Sequence, residues 1–448
     1  MINQYCLGDL TGNIGLGLIK VPAFAEFMTY MELNSELEKR KKDVKLEVIG
    51  KSNNGNKILC AEIGSGKKNA LVFGFPHPNE PIGSLTCLVL IDMIIASKSL
   101  QNMYTWYIVP CADPDGAQLN EGWFKGKFSI DRYVRNYYRS ASKLQTDWSF
   151  PTRYRGYSFG KPPRNTKALA RLIRRIKPSL IYPMHNAILG GAYFFMTRRM
   201  PAKFYNELFG YCKGLGIPLD MGEPEAPFIK EIRKPVYRAF SFADYYDHYE
   251  KHGIYPKKML DMGTTSVDYS KRLTKHALGI IGEIPYVYDR RISDSSLTRY
   301  TKRDNIRERL EIDTEVLEII GKVLSCKGIN KRSPFYSALE WVESFLTGGM
   351  EVAKRMMAGR GGMERSTVAE RFSSTTALCF HRGPLIGEAK RLLMESKGRA
   401  AKRMAPGIDS AIRRYVSMMN RSSRYKIFPI NKLVKLQLGL LVLSLKYS

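Results

Sequence analysis

The sequence predicts an α/β fold: a mixed, mainly parallel sheet with helices on both faces, followed by a C-terminal, mostly helical, basic module. Three features carry that expectation. The apolar runs "NALVFGF" and "TWYIVP" flank "IGSLTCLVLIDMIIASKS", an apolar helix, and a strand–helix–strand unit of this length implies a parallel pair with a right-handed crossover. Further strand-like runs, "SLIYPMH", "GAYFFMTR" and "HALGIIGEIPYV", are separated by helical patterns. From about residue 300 the texture turns helical throughout.

In chain order, residues 1–44 read as an N-terminal helical extension, because "AFAEFMTYMELNSELEKRKKD" has apolar positions at helical spacing. A domain over 45–300 opens with "KLEVIG" and "KILCAEIG", which the turn "NNGN" joins as a hairpin. A loop-rich stretch, aromatic and arginine-rich, covers about 111–163. "TKALARLIRRIKP" is an amphipathic helix ended by proline, and "AKFYNELFGYCKGLG" a helix with a glycine stop. The module over 301–448 carries the stripes "FYSALEWVESFL" and "KIFPINKLVKLQLGLLVLSL", which need burial and so predict packing on the preceding domain.

At 448 residues, 44% hydrophobic and 25% charged, the chain has the composition of a globular protein. Its seven cysteines (Cys6, Cys60, Cys87, Cys111, Cys212, Cys326, Cys379) are scattered and lack any CxxC spacing. That argues against a disulfide framework and against a thiolate zinc site, and it suits a reducing compartment; the expected setting is cytoplasmic. The N-terminus lacks the pattern of a signal peptide, and "LQLGLLVLSL" is about half the ~20 residues a membrane helix needs, so no span is expected. Net charge is +29, and residues 351–448 hold 20 Lys/Arg against 6 Asp/Glu. Such a module can attract an anionic partner, although a solvated surface accounts for the same charge and no nucleic-acid motif accompanies it.

Three strands run into polar residues. "NALVFGF" leads to His77 and Glu80, "SLIYPM" to His185, and "ALGIIG" to Glu283. In open α/β sheets, ligands bind outside the carboxyl ends of the strands. Two neutral imidazoles and one carboxylate would leave a tetrahedral Zn²⁺ with a fourth position for water. A further carboxylate, not a ligand, would accept the proton of that water. His248 and His252 have i, i+4 spacing but no third ligand, and read as helix decoration.

"PHPNEPIG", "VPCADPDG", "MHN" and "GEIP", in this order, resemble the zinc carboxypeptidase family over roughly residues 45–295. The resemblance implies a zinc carboxypeptidase-like sheet, zinc ligands His77, Glu80 and His185, and Glu283 as general base and then general acid. Two departures stand out. Asn79 occupies the place where the family usually has arginine, and the Asn-Arg dipeptide that clamps a substrate carboxylate is absent as such. Arg139 in "NYYR" is its nearest counterpart, with Arg135 and Arg132 as further candidates for oxyanion stabilisation. Asp113 and Asp115 read as turn residues.

The first expectation is therefore a cytoplasmic zinc carboxypeptidase or amidase acting on a small peptide or peptide-like metabolite. An N-acyl amino acid deacylase of the aspartoacylase type would use the same two-histidine, one-glutamate site. A reading from a different class is a nucleic-acid-binding protein with a degenerate peptidase domain.

Overall fold

The hairpin leads into the sheet. In the computed structural model, which describes Leu16 and residues 19–358 and 362–448, strands β1 (Lys45–Lys51) and β2 (Lys57–Ile63) pair antiparallel across the Asn-Gly turn. β3 (Lys68–Phe73), β4 (Tyr104–Val109), β5 (Leu180–Pro183), β6 (Tyr193–Met196), β7 (Glu231–Arg233), β8 (Val236–Arg238) and β9 (Leu278–Glu283) complete a nine-stranded mixed sheet in the order β1-β2-β4-β3-β5-β9-β6-β8-β7. The centre, from β4 through β3 and β5 to β9, is parallel. Antiparallel pairings join it to β2 on one side and to β6 on the other.

Alternation along the strands divides the core between the two faces. Leu59, Ala61, Val72, Trp106, Ile108, Tyr182, Phe194 and Ile280 belong to one cluster; Ile58, Cys60, Leu71, Phe73, Val109, Ile181, Phe195 and Ile281 belong to the other. This is the period of two expected of strands buried on both faces. The six described cysteines are buried free thiols; Cys6 lies outside the described residues.

The N-terminal segment differs from the helical expectation. Among its described residues the helix runs only over Tyr30–Lys39 (α1), starting where Thr29 and Glu32 form a capping box. Phe27 lies outside it because its N–H donates to the Phe124 carbonyl at 3.1 Å and its ring packs edge-on against Trp123. Tertiary contact outweighs local periodicity there. Residues 1–15 of that expectation lie outside the described residues.

Helices α2 (Ile82–Ala96), α3 (Pro114–Phe124), α4 (Ile130–Asn136), α5 (Arg164–Ile176) and α6 (Ala202–Leu215) flank the sheet, with α2 and α6 contributing to one cluster and α5 to the other. After residue 300 come α7 (Lys302–Leu324), α8 (Pro334–Ala358), α9 (Thr376–Met394), α10 (Arg399–Ser422) and α11 (Ile430–Lys446). These helices are continuous with the core. Leu433, Val434, Leu436, Leu440 and Leu441 of α11 share a cluster with α2, α6 and the sheet. Short ladders also cross residue 300: Leu297–Thr301 pairs with Arg365–Thr367, and Val287–Tyr288 with Lys426–Ile427. Among the described residues no helix is long and apolar enough to cross a membrane.

Asp289 ties the C-terminal helices to the sheet domain. Its carboxylate accepts the Arg291 guanidinium at 2.7 Å and the Arg424 N–H at 2.9 Å. Burial opposes the charge, but these donors outweigh it and lower the pKa from 3.8 to about 2. A carboxyl whose folded pKa is depressed stabilises the protein above its unfolded pKa, and the contribution is lost as pH falls towards the folded value. Urea midpoints of the wild type should therefore fall more steeply between pH 4 and pH 2 than those of Asp289→Asn. Parallel slopes would show that Asp289 contributes nothing through its charge.

Candidate active site

Three strand tips converge where the centre of the sheet ends. The Met184 N–H donates to the Phe73 carbonyl at 2.9 Å, which sets the β5 tip beside the β3 tip, and the Ala187 N–H donates to the Ile284 carbonyl at 3.1 Å, which fixes the β9 exit. Gly83 allows α2 to start against β5: a Cβ there would lie 2.6 Å from the Met184 Cβ and 2.7 Å from its carbonyl oxygen. Phe75 takes a left-handed conformation, φ 51°, in the turn that delivers His77. Such a backbone is unfavourable for a bulky residue and persists only where its surroundings enforce it; here Phe75 is fully buried.

His77, Glu80 and His185 are all buried, and one ligating atom from each lies within 4.8 Å of the others. The two imidazole rings are 4.9 Å apart at 60°. His185 Nδ1 is 3.0 Å from Glu80 Oε2 and 3.6 Å from Glu283 Oε1. Its Nε2 is 3.1 Å from Asp147 Oδ2. If Nε2 carries the proton to Asp147, Nδ1 is left with its lone pair facing Glu80. That is the usual carboxylate–histidine arrangement behind a metal.

A metal fits these residues on their own chemistry. His77 Nδ1 is buried with no hydrogen-bond partner among the described residues, Glu80 Oε2 meets His185 Nδ1 at 3.0 Å, and buried polar atoms are otherwise nearly always satisfied. The set of two imidazoles and one carboxylate is a zinc donor set with an open position. All four residues expected at the strand tips are thus brought together.

The arginines separate. Arg139 reaches the site: its Nη1 donates to Glu80 Oε1 at 3.2 Å and its Nε to Gln145 at 3.3 Å. Arg135 does not, contrary to the sequence reading. Its guanidinium is held at 2.9 Å from Asp131 and 2.8 Å from Asp409 on α10. Arg132 donates to the Lys125 carbonyl. Helical spacing explains this outcome, because Asp131 sits one turn before Arg135 on α4 and captures it. Asp113 caps α3, accepting the Gly116 N–H at 3.1 Å, and Asp115, in the first turn of α3, accepts the Ser52 hydroxyl at 2.5 Å, so a helix start stands where the sequence reading has a turn.

Burial and charge set the protonation states. Burial, with Arg139 and His185 nearby, holds His77 well below the usual histidine range. Burial pulls His185 the same way, but Glu80, Asp147 and Glu283 outweigh it and hold His185 well above that range. Burial pushes Glu283 well above the usual carboxylate range; His185 opposes this, while Glu80 and Glu225 add to it. Arg139 loses by burial but gains more from Glu80, and its pKa stays raised.

Two polar residues had no signal in the sequence. Asp147 stands alone in the loop "QTDWSF", yet it backs His185 with one oxygen and accepts the Ser266 N–H at 2.9 Å with the other. Glu225, on the segment after α6, accepts the Tyr193 hydroxyl at 2.6 Å. Tyr193 is the cross-strand partner of Glu283. A lone aspartate in a loop has no distinctive spacing, so only the fold identifies it.

Comparison with known proteins places the chain. No curated protein sequence matches it. Solved structures that resemble it include a candidate metallopeptidase from Shewanella baltica OS155, 15% identical, covering 60% of this chain and 90% of that one with a TM-score of 0.40. Carboxypeptidase A from Helicoverpa armigera is 13% identical over 75% of this chain and 74% of its own, TM-score 0.38. The murein-tripeptide amidase of Escherichia coli O157 is 16% identical over 54% and 82%, TM-score 0.27. Likeness at these scores carries no argument by itself. The zinc carboxypeptidase family profile, Peptidase_M14, matches residues 30–272, more than half of the chain and inclusive of His77, Glu80, Asp147 and His185. The chain belongs to the zinc carboxypeptidase family and is a zinc metallopeptidase-like hydrolase.

Proposed function

We propose that the protein hydrolyses the amide bond of a small peptide or peptide-like metabolite, as a carboxypeptidase or amidase. The observation that carries this reading is Glu283: a carboxylate outside the metal-competent trio, 3.6 Å from His185 and largely buried. His77, Glu80 and His185 would hold Zn²⁺, which when bound polarises the scissile carbonyl and acidifies the attacking water. Glu283 would take the proton from that water and deliver it to the leaving nitrogen. Its raised pKa supports the second role, because a carboxyl that holds its proton more tightly than usual can donate it as well as accept one. Arg139, fixed beside Glu80, places a permanent positive charge near the developing oxyanion. Asp147 would hold the His185 ring in one orientation. The intact donor set speaks against a degenerate peptidase domain.

The test is hydrolysis by the zinc-loaded full chain of a mixed panel of peptides and N-acyl amino acids. A released C-terminal amino acid or amide product supports the reading. Release of carboxylic acids from acyl-amino acids alone would make the protein a deacylase of the aspartoacylase type. On a substrate so identified, Glu283→Gln should lower turnover by about 10²–10⁴-fold with zinc content unchanged. Near-normal turnover in that variant would remove Glu283 from the mechanism. Asp147→Asn should weaken zinc binding by about 10–100-fold in chelator competition, with the far-ultraviolet circular dichroism unchanged.

A further inference from the structure

Two buried polar side chains reach the site from helices beyond the residues that match the family. Gln437 lies in the middle of α11 and is fully buried among Leu433, Val434, Leu436, Leu438 and Leu440. Its Nε2 donates to the His185 carbonyl at 2.9 Å, and its Oε1 accepts the Thr86 hydroxyl at 2.6 Å. Its own backbone carbonyl accepts the Tyr182 hydroxyl at 3.3 Å. An apolar residue would fill that space without the cost of burying a carboxamide.

Glu388 on α9 is also fully buried. Its Oε1 accepts the Arg139 N–H at 2.6 Å, and its Oε2 is buried with no hydrogen-bond partner among the described residues. The neighbouring Gly387 makes this reach achievable, because a Cβ there would lie 1.7 Å from the Val134 carbonyl oxygen. The backbone of α9 thus rides directly on α4. One turn further along, Arg391 donates to the carbonyls of Leu119, Asn136 and Tyr137 at 2.8, 2.9 and 3.1 Å. The segment 136–139 is therefore gripped from both sides, through its carbonyls by Arg391 and through its last N–H by Glu388. It ends at Arg139, whose guanidinium bonds Glu80.

We infer that Gln437 and Glu388 are positioning residues of the hydrolytic centre, Gln437 fixing the backbone that bears His185 and Glu388 fixing the backbone that bears Arg139. The partners are what distinguish this from ordinary packing. Each side chain bonds the main chain of a site residue, a contact that an apolar side chain filling the same space would not make. Groups that orient metal ligands are typically worth 10–100-fold in metal affinity. The inference rests on His77, Glu80 and His185 holding zinc.

The experiment compares zinc affinity, by chelator competition, in the full-length wild type and in Gln437→Met, Glu388→Met and Val434→Ala. Gln437→Met keeps the volume and loses both side-chain bonds; Val434→Ala opens a cavity on the same helix and removes no side-chain hydrogen bond. Gln437→Met and Glu388→Met should each bind zinc at least ~10-fold more weakly, while Val434→Ala loses thermal stability and keeps wild-type affinity. Glu388→Gln retains an acceptor for the Arg139 N–H and should recover most of the loss. Should Gln437→Met fail to fold, Thr86→Val removes the hydroxyl that orients the Gln437 amide and should weaken zinc binding to a smaller extent. Wild-type zinc affinity in Glu388→Met and in Gln437→Met or its Thr86→Val substitute, or an equal loss in Val434→Ala, would overturn the inference. A wild type that binds zinc tightly but hydrolyses nothing in the panel would count against the proposed function alone, because the affinities still decide the positioning.

Discussion

Charge balance around His185 is the constraint on which this structure depends. Glu80, Asp147 and Glu283 all lie within 3.6 Å of its ring nitrogens, with Glu80 and Asp147 almost wholly removed from water and Glu283 largely so. Concentrating negative charge in a buried crevice is unfavourable unless positive charge is fixed beside it. The protein supplies part of that charge through Arg139 and part through the imidazole itself, whose proton the surrounding carboxylates favour. A divalent cation satisfies the same demand more completely, and it uses His77 Nδ1, which has no hydrogen-bond partner among the described residues.

The architecture follows from holding those groups still. Parallel strands in the centre of the sheet bring the loops after β3, β5 and β9 to one edge. Hydrogen bonds between the strand exits then set their relative height. Both faces of the sheet must be covered for such strands to be buried, and α11 covers part of one face, beside α2 and α6. The helical segment after residue 300 is thereby part of the wall behind the crevice. Its basic residues are concentrated on exposed positions, as in α10, where Ala401, Ile408, Ile412 and Tyr415 face inward while Arg399, Lys402, Arg403 and Arg413 remain exposed. That amphipathic division accommodates much of the charge excess without placing it near zinc ligands.

Much of this was legible in the sequence, for a definable reason. His77, Glu80, His185 and Glu283 each follow an apolar strand, so a local pattern announces both the strand and the residue at its tip. The hairpin, α2 and α5 were readable from turn chemistry and periodicity in the same way. Arg135 misled because its capture by Asp131 and Asp409 depends on side-chain competition that spacing in "RYVRNYYR" does not rank. The N-terminal helix was overextended because Phe27 gains more by packing on Trp123 than by continuing a helix. Asp147, Gln437 and Glu388 left no trace because their partners are remote. Gln437 is separated from His185 by 252 residues, and Glu388 from Arg139 by 249.

Those separations also have a meaning in time. A ribosome adds about 5–20 residues per second, so the 252 residues between His185 and Gln437 take roughly 13–50 s to make. Throughout that interval the strand tips that bear His77, Glu80 and His185 exist as nascent chain, with Glu283 joining them part-way and the α11 face of their sheet uncovered. The crevice acquires its full backbone support only after the last of these helices has emerged. A partly synthesised chain therefore carries the donor atoms of a hydrolase before it carries the scaffold that aligns them.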